Sequence, residues 1–130
     1  MVNDTILEGL NFSNFIRNGP IIMFIYDQDF QYVWTNRAFQ KYTGYSNEEA
    51  LQMKFWEIIH PDHQGLVRTN AQARQRGEKV PGSYELKIIT KNGEEKWVDV
   101  FLFEEWMGDQ QYVMLGAYGI TERIHAQTQL

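Results

Sequence analysis

The chain contains no cysteine among its 130 residues. Without a thiol it cannot form a disulfide, bind zinc or an iron–sulfur cluster through cysteine, use a thiolate nucleophile or form a cofactor adduct at sulfur. Because disulfides are common in oxidising compartments and rare in the cytosol, their absence favours a cytoplasmic location.

Basic residues are also few, since 12 Lys and Arg stand against 17 Asp and Glu, for a net charge of −5. Nucleic acid is therefore not an expected partner, because binding its phosphates requires a clustered basic surface. Long apolar runs are missing as well: none reaches the roughly 18 residues of a membrane span, and the N-terminus lacks the features of a signal peptide. We expect a cytoplasmic chain, or the cytoplasmic part of a membrane-anchored protein.

Aromatic residues, by contrast, are abundant, with 8 Phe, 7 Tyr and 4 Trp. Each buries roughly 150 to 250 Å² when enclosed, so the chain has the material for a sizeable core. A length of 130 residues suits one domain. No internal repeat or low-complexity tract argues against that interpretation.

Residues 1–19 are predicted to form an amphipathic leader helix. Thr5 and Glu8 have the spacing of a capping box, which places a helix start near Thr5. The helix is expected to end at Asn18-Gly19-Pro20. Its apolar side comprises Ile6, Leu7, Leu10, Phe15 and Ile16.

Two β-favouring runs, 21–26 and 30–35, follow as a predicted hairpin. Three helices come next. They are predicted over Arg37–Thr43 with Asn36 as N-cap and Gly44 beyond its end, from the Ser46/Glu49 capping box through Leu51, and from His60-Pro61-Asp62 to Gly77. In the third helix, Leu66, Val67 and Ala71 are expected to form the buried side.

Three further strands are predicted over 83–90, 95–104 and 111–120, with turns at Lys91-Asn92-Gly93 and Gly108-Asp109. The fold class is therefore α+β: a five-stranded antiparallel sheet with short helices on one face, preceded by the leader helix. Residues 121–130 are predicted as polar helix without a stop signal. We expect this helix to lead into an output domain outside the chain.

Both faces of the last three strands carry apolar side chains. The aliphatic parity is expected to face the helices, which leaves about 400 Å² of half-exposed aromatic surface on the other face. The leader helix, a second copy of the chain, or both together would cover it. The interface residues predicted for these two arrangements are Ile6, Leu7, Leu10, Trp97, Phe101, Phe103, Tyr112, Met114 and Tyr118.

Five segments carry a resemblance to a known family: YDQDFQYVWTNRAF (26–39), TGYSNEEAL (43–51), HPDH (60–63), SYELKIITKNGEEKWV (83–98) and GITER (119–123). In this order and spacing they resemble the PAS sensory domain with its PAC-type C-terminal meander. The resemblance implies a leader over 1–19, a PAS domain over 20–123 and the start of an outgoing signalling helix over 124–130.

The same resemblance implies a sensory and dimerisation module without catalysis of its own, as found in bacterial two-component histidine kinases, diguanylate cyclases and phosphodiesterases. A ligand or partner signal would pass as a conformational bias through Ile120, Thr121, Glu122 and Arg123. One position departs from the family: Gly119 stands where an Asp usually links the sheet to the outgoing helix. Transmission through that contact is not expected here.

Cofactor binding is disfavoured on residue grounds. Light-oxygen-voltage domains need a cysteine for their flavin adduct, and Ile88, Val98 and Ala117 stand where flavin binders carry amides. Haem-binding relatives use a histidine inside the long helix, and residues 64–77 contain none. A bound cofactor therefore stays unidentified, and the domain can also function with none.

A cavity between helices and sheet is predicted, with Tyr26 and Trp56 as its hydrogen-bond donors. Its lining would suit a small apolar or aromatic metabolite, and it would equally suit a packed core without a ligand. Both alternatives stay open. The predicted lining is Phe24, Tyr26, Phe39, Tyr42, Phe55, Trp56, Ile59, Leu86, Ile88, Val98, Val100, Leu115 and Ala117.

His60, Asp62 and His63 form a cluster that could be an acid–base or metal site. No third metal ligand has matching spacing, and neither an orienting partner nor an oxyanion site is visible. A helix start explains Pro61 and Asp62 without any function. We therefore predict neither a metal site nor enzymatic activity, and rank acid–base catalysis last.

Overall fold

The computed structural model describes Ile6 and residues 9–128. Its centre is a five-stranded sheet with strand order β2-β1-β5-β4-β3, in which all neighbouring strands are antiparallel. The α+β fold class is confirmed. The strands are β1 Ile22–Tyr26, β2 Tyr32–Thr35, β3 Ser83–Ile89, β4 Glu95–Met107 and β5 Gln110–Gly119.

Most helices begin and end where local signals predict. The Asn36 side chain caps its helix by accepting from the Phe39 N–H, Ser46 and Glu49 form a reciprocal capping box, and Gly44 has a left-handed φ of 81°. The helices are α1 Phe12–Asn18, α2 Arg37–Thr43, α3 Asn47–Ala50, the 3-10 helix Phe55–Ile58, α4 Pro61–Gln75 and α5 Thr121–Thr128.

The leader is not one continuous helix. Thr5, Leu7 and Glu8 lie outside the described residues, and the backbone leaves the helical conformation at Leu10 and Asn11. The Asn11 side chain then accepts a hydrogen bond from the Asn14 N–H at 2.9 Å and starts α1. The prediction of an unbroken helix is wrong because asparagine favours an N-cap over a helix interior.

Three further expectations need correction. Phe30 lies in the turn before β2, with a φ of 64°, and is not a strand residue. Strand β4 runs to Met107 rather than Glu104, because the tight turn at Gly108-Asp109 lets Met107 pair with Gln110.

The third correction concerns Leu66, which was expected on the buried side of α4. Its side chain is 52% exposed, whereas that of Val67 is 5% exposed. Successive residues of a helix point about 100° apart. When Val67 faces the core, its neighbour Leu66 must therefore turn toward solvent. Ala71, four residues after Val67, is buried as predicted.

The core lies between the helices and the aliphatic face of the sheet. Val98 and Val100 of β4 and Val113, Leu115 and Ala117 of β5 are all buried, as their strand parity predicts. The rings of Phe24, Tyr32 and Phe39 pack against one another with centroids 5.4 to 5.6 Å apart. This packing places the candidate site directly above the central strands.

Candidate functional site

A cavity of about 50 Å³ lies between the inner face of the sheet and the helices. All but two of the residues predicted for its lining do line it; the exceptions are Tyr26 and Trp56. Eight lining residues were not predicted: Ile22, Tyr32, Thr43, Ile58, Val67, Arg74, Tyr84 and Leu102.

The prediction that Tyr26 and Trp56 line the cavity is therefore wrong. The Tyr26 ring is buried and stacks on Phe55, with centroids 4.2 Å apart. Trp56 follows Phe55 in a 3-10 helix, where consecutive side chains point about 120° apart, so only Phe55 faces the core. The Arg68 guanidinium lies 4.5 Å from the Trp56 ring centroid on the outer side.

The polar part of the cavity wall is formed by Arg74 and Tyr84 instead. Arg74 is only 6% exposed and donates from Nη2 to the Pro81 carbonyl at 3.1 Å. Its Nε lies 3.5 Å from Oε1 of Glu104. The Tyr84 hydroxyl is buried and has no hydrogen-bond partner within the described residues.

The other hydroxyls of the lining are bonded to backbone carbonyls. Tyr32 donates to Phe55 O at 3.0 Å, and burial raises its pKa well above the ordinary tyrosine value. Thr43 donates to Phe39 O at 2.8 Å. Among these hydroxyls, Tyr84 is therefore the one whose hydrogen-bonding capacity is left for a ligand.

The helix pattern carried a signal for Arg74 that the sequence analysis did not use. Val67, Ala71 and Arg74 are spaced i, i+4 and i+7, so Arg74 continues the buried side of α4. An arginine in the last turn of a helix normally interacts with solvent and the helix dipole, which hid its position. Near it, burial raises the pKa of Tyr26 to about 12, and Arg74 acts in the opposite direction.

The wall residues do not fit a flavin or a haem. An engineered cavity of about 150 Å³ holds benzene, so about 50 Å³ is far below what either ring system requires. Ile88, Val98 and Ala117 present only hydrocarbon where a flavin ring would need hydrogen bonds. The described helix α4 also offers no histidine after His63 that could bind haem iron.

His60 and His63 hold backbone instead of forming a reactive cluster. His60 caps α4 by accepting from the Asp62 N–H at 3.1 Å. At the free edge of β3, the Lys87 N–H donates to Nδ1 of His63 at 3.0 Å, and the His60 N–H donates to the Lys87 carbonyl at 2.8 Å. Searching the described residues finds no group of three or more acidic, histidine or cysteine side chains that could bind a metal.

The backbone of Trp97 joins three parts of the structure. Its carbonyl accepts from the Tyr42 hydroxyl and from the Ile120 N–H, both at 2.9 Å, and its N–H donates to Oγ1 of Thr121 at 2.9 Å. Tyr42 lines the cavity, and Thr121 is the first residue of α5. The hydrogen bonds of one residue, Trp97, therefore connect the cavity wall with the outgoing helix.

The remaining exit residues differ in exposure. Ile120 is buried, whereas Glu122 is exposed in the first turn of α5. Arg123 forms an ion pair with Glu85 of β3 at 2.8 Å. The start of α5 is thus bonded to the edge strand β3 and to its neighbour β4.

The outer face of the sheet carries an apolar row across four strands. Trp34, Ile25, Met114 and Phe103 are successive cross-strand partners, and their side chains are half-buried or exposed. Only Met114 and Phe103 were predicted. The parity pattern was taken from the last three strands alone, so Ile25 and Trp34 were missed although both lie in predicted strands.

The other predicted interface residues differ in accessibility. Phe101 and Tyr118 are exposed, and Tyr112 is half-buried. The Trp97 ring is partly covered, since Lys87 Nζ lies 5.4 Å and the His63 ring 5.6 Å from its centroid. Ile6 and Leu10 are exposed, and Leu7 lies outside the described residues.

The described part of the leader packs beside α2, away from the aromatic face. Nδ2 of Asn36 donates to the carbonyls of Ile16 and Ile21 at 2.7 and 2.8 Å, which fixes α1 at the start of α2. Phe12 and Phe15 remain exposed on α1. Among the residues the structure describes, none forms a helix both long and apolar enough to cross a bilayer.

Comparison with known proteins agrees with this architecture. A PAS domain of a two-component sensor histidine kinase superposes with a TM-score of 0.68 at 18% identity, covering 90% of this chain and 99% of that chain. A PAS domain from Colwellia psychrerythraea gives a TM-score of 0.75 at 15% identity, with 91% and 99% covered. At these identities the likeness shows the fold alone.

A third structure, an RNA-binding light-oxygen-voltage receptor, gives a TM-score of 0.76 at 19% identity and covers 99% of this chain and 37% of that one. The search of curated proteins found no match. The sequence model of the PAS fold matches residues 20–117, which is most of the chain. This chain therefore belongs to the PAS fold family.

Proposed function

We propose that this PAS domain is a sensory and dimerisation module of a signal-transduction protein and passes a conformational bias into the helix that begins at Thr121. The observation that carries the proposal is the set of hydrogen bonds at Trp97, where the Tyr42 hydroxyl and the Ile120 N–H share one carbonyl. A movement of Tyr42 in the cavity wall would thereby reach α5 directly.

The position of Tyr42 supports this route. Lys96, next to Trp97 in β4, donates from Nζ to the Tyr42 carbonyl at 3.2 Å and lies 4.5 Å from its ring centroid. Tyr42 is therefore fastened to β4 through both its backbone and its side chain. Since Ile120 and Thr121 bond to the same strand, a shift of Tyr42 would change the register or tilt of α5.

A second copy of the chain is the proposed cover of the outer face. The row of Trp34, Ile25, Met114 and Phe103 crosses four strands, and a two-fold axis through such a row would bury it against itself. A homodimer would place two copies of α5 side by side, as an output domain controlled by helix register requires.

The nature of the output domain is also a proposal. Among the similar structures, one is described as a PAS domain of a two-component sensor histidine kinase, and another as a sensory box histidine kinase/response regulator from Burkholderia thailandensis. We place a histidine kinase first for the domain after α5, with a diguanylate cyclase or phosphodiesterase as alternatives. Catalysis would belong to that domain.

Analytical ultracentrifugation of Phe103→Glu tests the dimer. Phe103 is 57% exposed at the β4 end of the row, so its substitution should leave the fold intact and shift the chain to monomer. Leu66→Glu is the matched control, because Leu66 is 52% exposed on the helical side. Equal sedimentation of Phe103→Glu and the unsubstituted chain at all concentrations would contradict dimerisation through this face.

The second candidate function is a sensor that retains a small molecule in the cavity. The unpartnered Tyr84 hydroxyl in the cavity wall favours it, because buried polar groups in proteins normally have partners. Native mass spectrometry beside a denatured spectrum tests it. A mass excess released on denaturation is expected from a retained ligand, and a ligand-free spectrum after purification from several growth conditions would contradict it.

A further inference from the structure

We propose that the cavity accepts a small monocarboxylic acid, with its carboxylate between Arg74 and the Tyr84 hydroxyl and its short hydrocarbon chain against the aliphatic wall. The inference rests on the second candidate function, a small-molecule sensor, and adds the chemical class of the ligand.

The Tyr84 hydroxyl supplies the first argument. It is buried, has no hydrogen-bond partner within the described residues, and belongs to a side chain that lines the cavity. A hydroxyl in this position requires a partner that the neighbouring side chains do not provide. A ligand oxygen that accepts from it would meet this requirement.

Arg74 selects the charge of that ligand. Its guanidinium has five N–H donors, and one of them goes to the Pro81 carbonyl. The planar group can bind a carboxylate through two parallel hydrogen bonds. The positively charged guanidinium also disfavours a cation at the same place.

The present ion pair of Arg74 leaves room for exchange. Nε of Arg74 and Oε1 of Glu104 are 3.5 Å apart, longer than a charge-assisted hydrogen bond of about 2.7 to 2.9 Å. Glu104 is 39% exposed, and its other carboxylate oxygen accepts from Gln111 at 2.8 Å. Glu104 can therefore turn to solvent and Gln111 while a ligand carboxylate takes its place.

The rest of the wall limits the ligand to a short, apolar chain. Leu86, Val100 and Leu102 line the cavity beside Tyr84 and Arg74, and the volume is about 50 Å³. This is about one third of the volume that holds benzene, a molecule of six heavy atoms, in an engineered cavity, so an acid of about one to two carbons, formate or acetate, is the expected size.

Titration with acetate, followed by methyl NMR of the full chain, tests the proposal. Saturable shifts of the methyl groups of Leu86, Val100 and Leu102 are expected. Acetamide, which has the same shape without the charge, should bind at least tenfold more weakly. Formate extends the test to a smaller acid.

Three variants test whether binding depends on the hydroxyl of Tyr84 and the guanidinium of Arg74, and not on α4 in general. Tyr84→Phe removes only the hydroxyl and should weaken acetate binding about tenfold, and Arg74→Gln should weaken it further. Arg68→Gln is the control, because Arg68 lies on the same helix but contacts Trp56 outside the cavity. Tyr84→Phe also keeps the test valid if Arg74→Gln does not fold.

The outcomes distinguish this inference from the sensor function itself. If acetamide binds as well as acetate, or Tyr84→Phe binds acetate with unchanged affinity, the carboxylate class is wrong while the cavity remains a binding site. If neither compound produces saturable shifts, the proposed ligand class is overturned. Native mass spectrometry then decides separately whether the cavity retains any other molecule.

Discussion

Tyr42 occupies the space that a side chain at position 119 would need. A Cβ built on Gly119 would lie 2.7 Å from the Tyr42 hydroxyl oxygen, closer than real Cβ contacts. The same hydroxyl donates to the Trp97 carbonyl at 2.9 Å. The aspartate that usually links sheet and outgoing helix in this family is thus replaced by a glycine, and a tyrosine from α2 makes a link to the strand.

Gly119→Ala tests this replacement. The added methyl group must displace the Tyr42 ring, and overpacking of this kind costs about 1 to 3 kcal/mol of unfolding free energy. In a Tyr42→Ala background the ring is gone, so the same substitution should cost much less. Urea unfolding of the four proteins in this double-mutant cycle measures the coupling.

Gly65→Ala is the control for that cycle. Gly65 lies in α4 with nothing within 4 Å of a Cβ at its position, so alanine should stabilise the helix by about 0.5 to 1 kcal/mol. Additive costs of Gly119→Ala and Tyr42→Ala would refute the close packing of these two residues.

Tyr84→Phe should not destabilise the ligand-free domain. Removing a buried hydroxyl without a partner should raise the unfolding free energy by about 1 kcal/mol, because the penalty of its desolvation disappears. Tyr32→Phe is the comparison: its hydroxyl donates to Phe55 O, so its loss should cost about 1 kcal/mol. Chemical denaturation of both variants checks the opposite signs, and equal losses would argue against an unpartnered Tyr84.

Alkaline pH should unfold the domain through Tyr26. Burial raises the pKa of Tyr26 from 10.0 to about 12, so the folded state holds this proton more tightly than the unfolded state. The resulting stability, about 3 kcal/mol, is fully present below pH 10 and is lost as the pH rises toward 12. Unfolding free energy measured between pH 8 and 12, with tyrosinate absorbance alongside, should fall over this range.

Tyr26→Phe provides the control for the pH measurement. Without the Tyr26 hydroxyl, the decline above pH 10 should be shallower, although Tyr32 still contributes in the same direction because burial also raises its pKa. An identical pH profile in both proteins would show that Tyr26 does not carry the effect.

Thr121→Val should loosen the start of α5. Oγ1 of Thr121 accepts from the Trp97 N–H at 2.9 Å, and valine keeps the shape of threonine without this acceptor. We expect faster hydrogen exchange of the Trp97 amide and a loss of about 1 kcal/mol. Thr128→Val is the matched control, since the Thr128 hydroxyl only donates to carbonyls within α5. Unchanged exchange at Trp97 would remove this contact from the proposed route.

Local signals predicted the elements because each depends on neighbours in the chain. The Asn36 and Ser46 caps, Gly44 and Pro61 all act within one helical turn, and the Asn92-Gly93 turn connects adjacent strands. The parity of the last three strands likewise follows from the alternation of side chains along a strand. These features did not require knowledge of the tertiary contacts.

The polar part of the cavity was mispredicted for a tertiary reason. Tyr26 has the right parity for the core and is buried, but its ring stacks on Phe55 and it is not among the residues that line the cavity. Arg74 and Tyr84 come from α4 and β3, and only the packing of that helix on that strand brings them to one wall. A sequence pattern cannot show which side chain covers another.

By itself, the sequence determined the five-stranded antiparallel α+β fold, the order of its helices and strands, and the aliphatic face that forms the core, because capping, turns and strand parity are local properties. Only the tertiary structure decided which side chains line the same cavity and which groups bond to the same backbone carbonyl. It placed Arg74 beside Tyr84, aligned Trp34 and Ile25 with Met114 and Phe103, and brought Tyr42 onto Gly119 and Trp97, since these contacts depend on how distant segments pack.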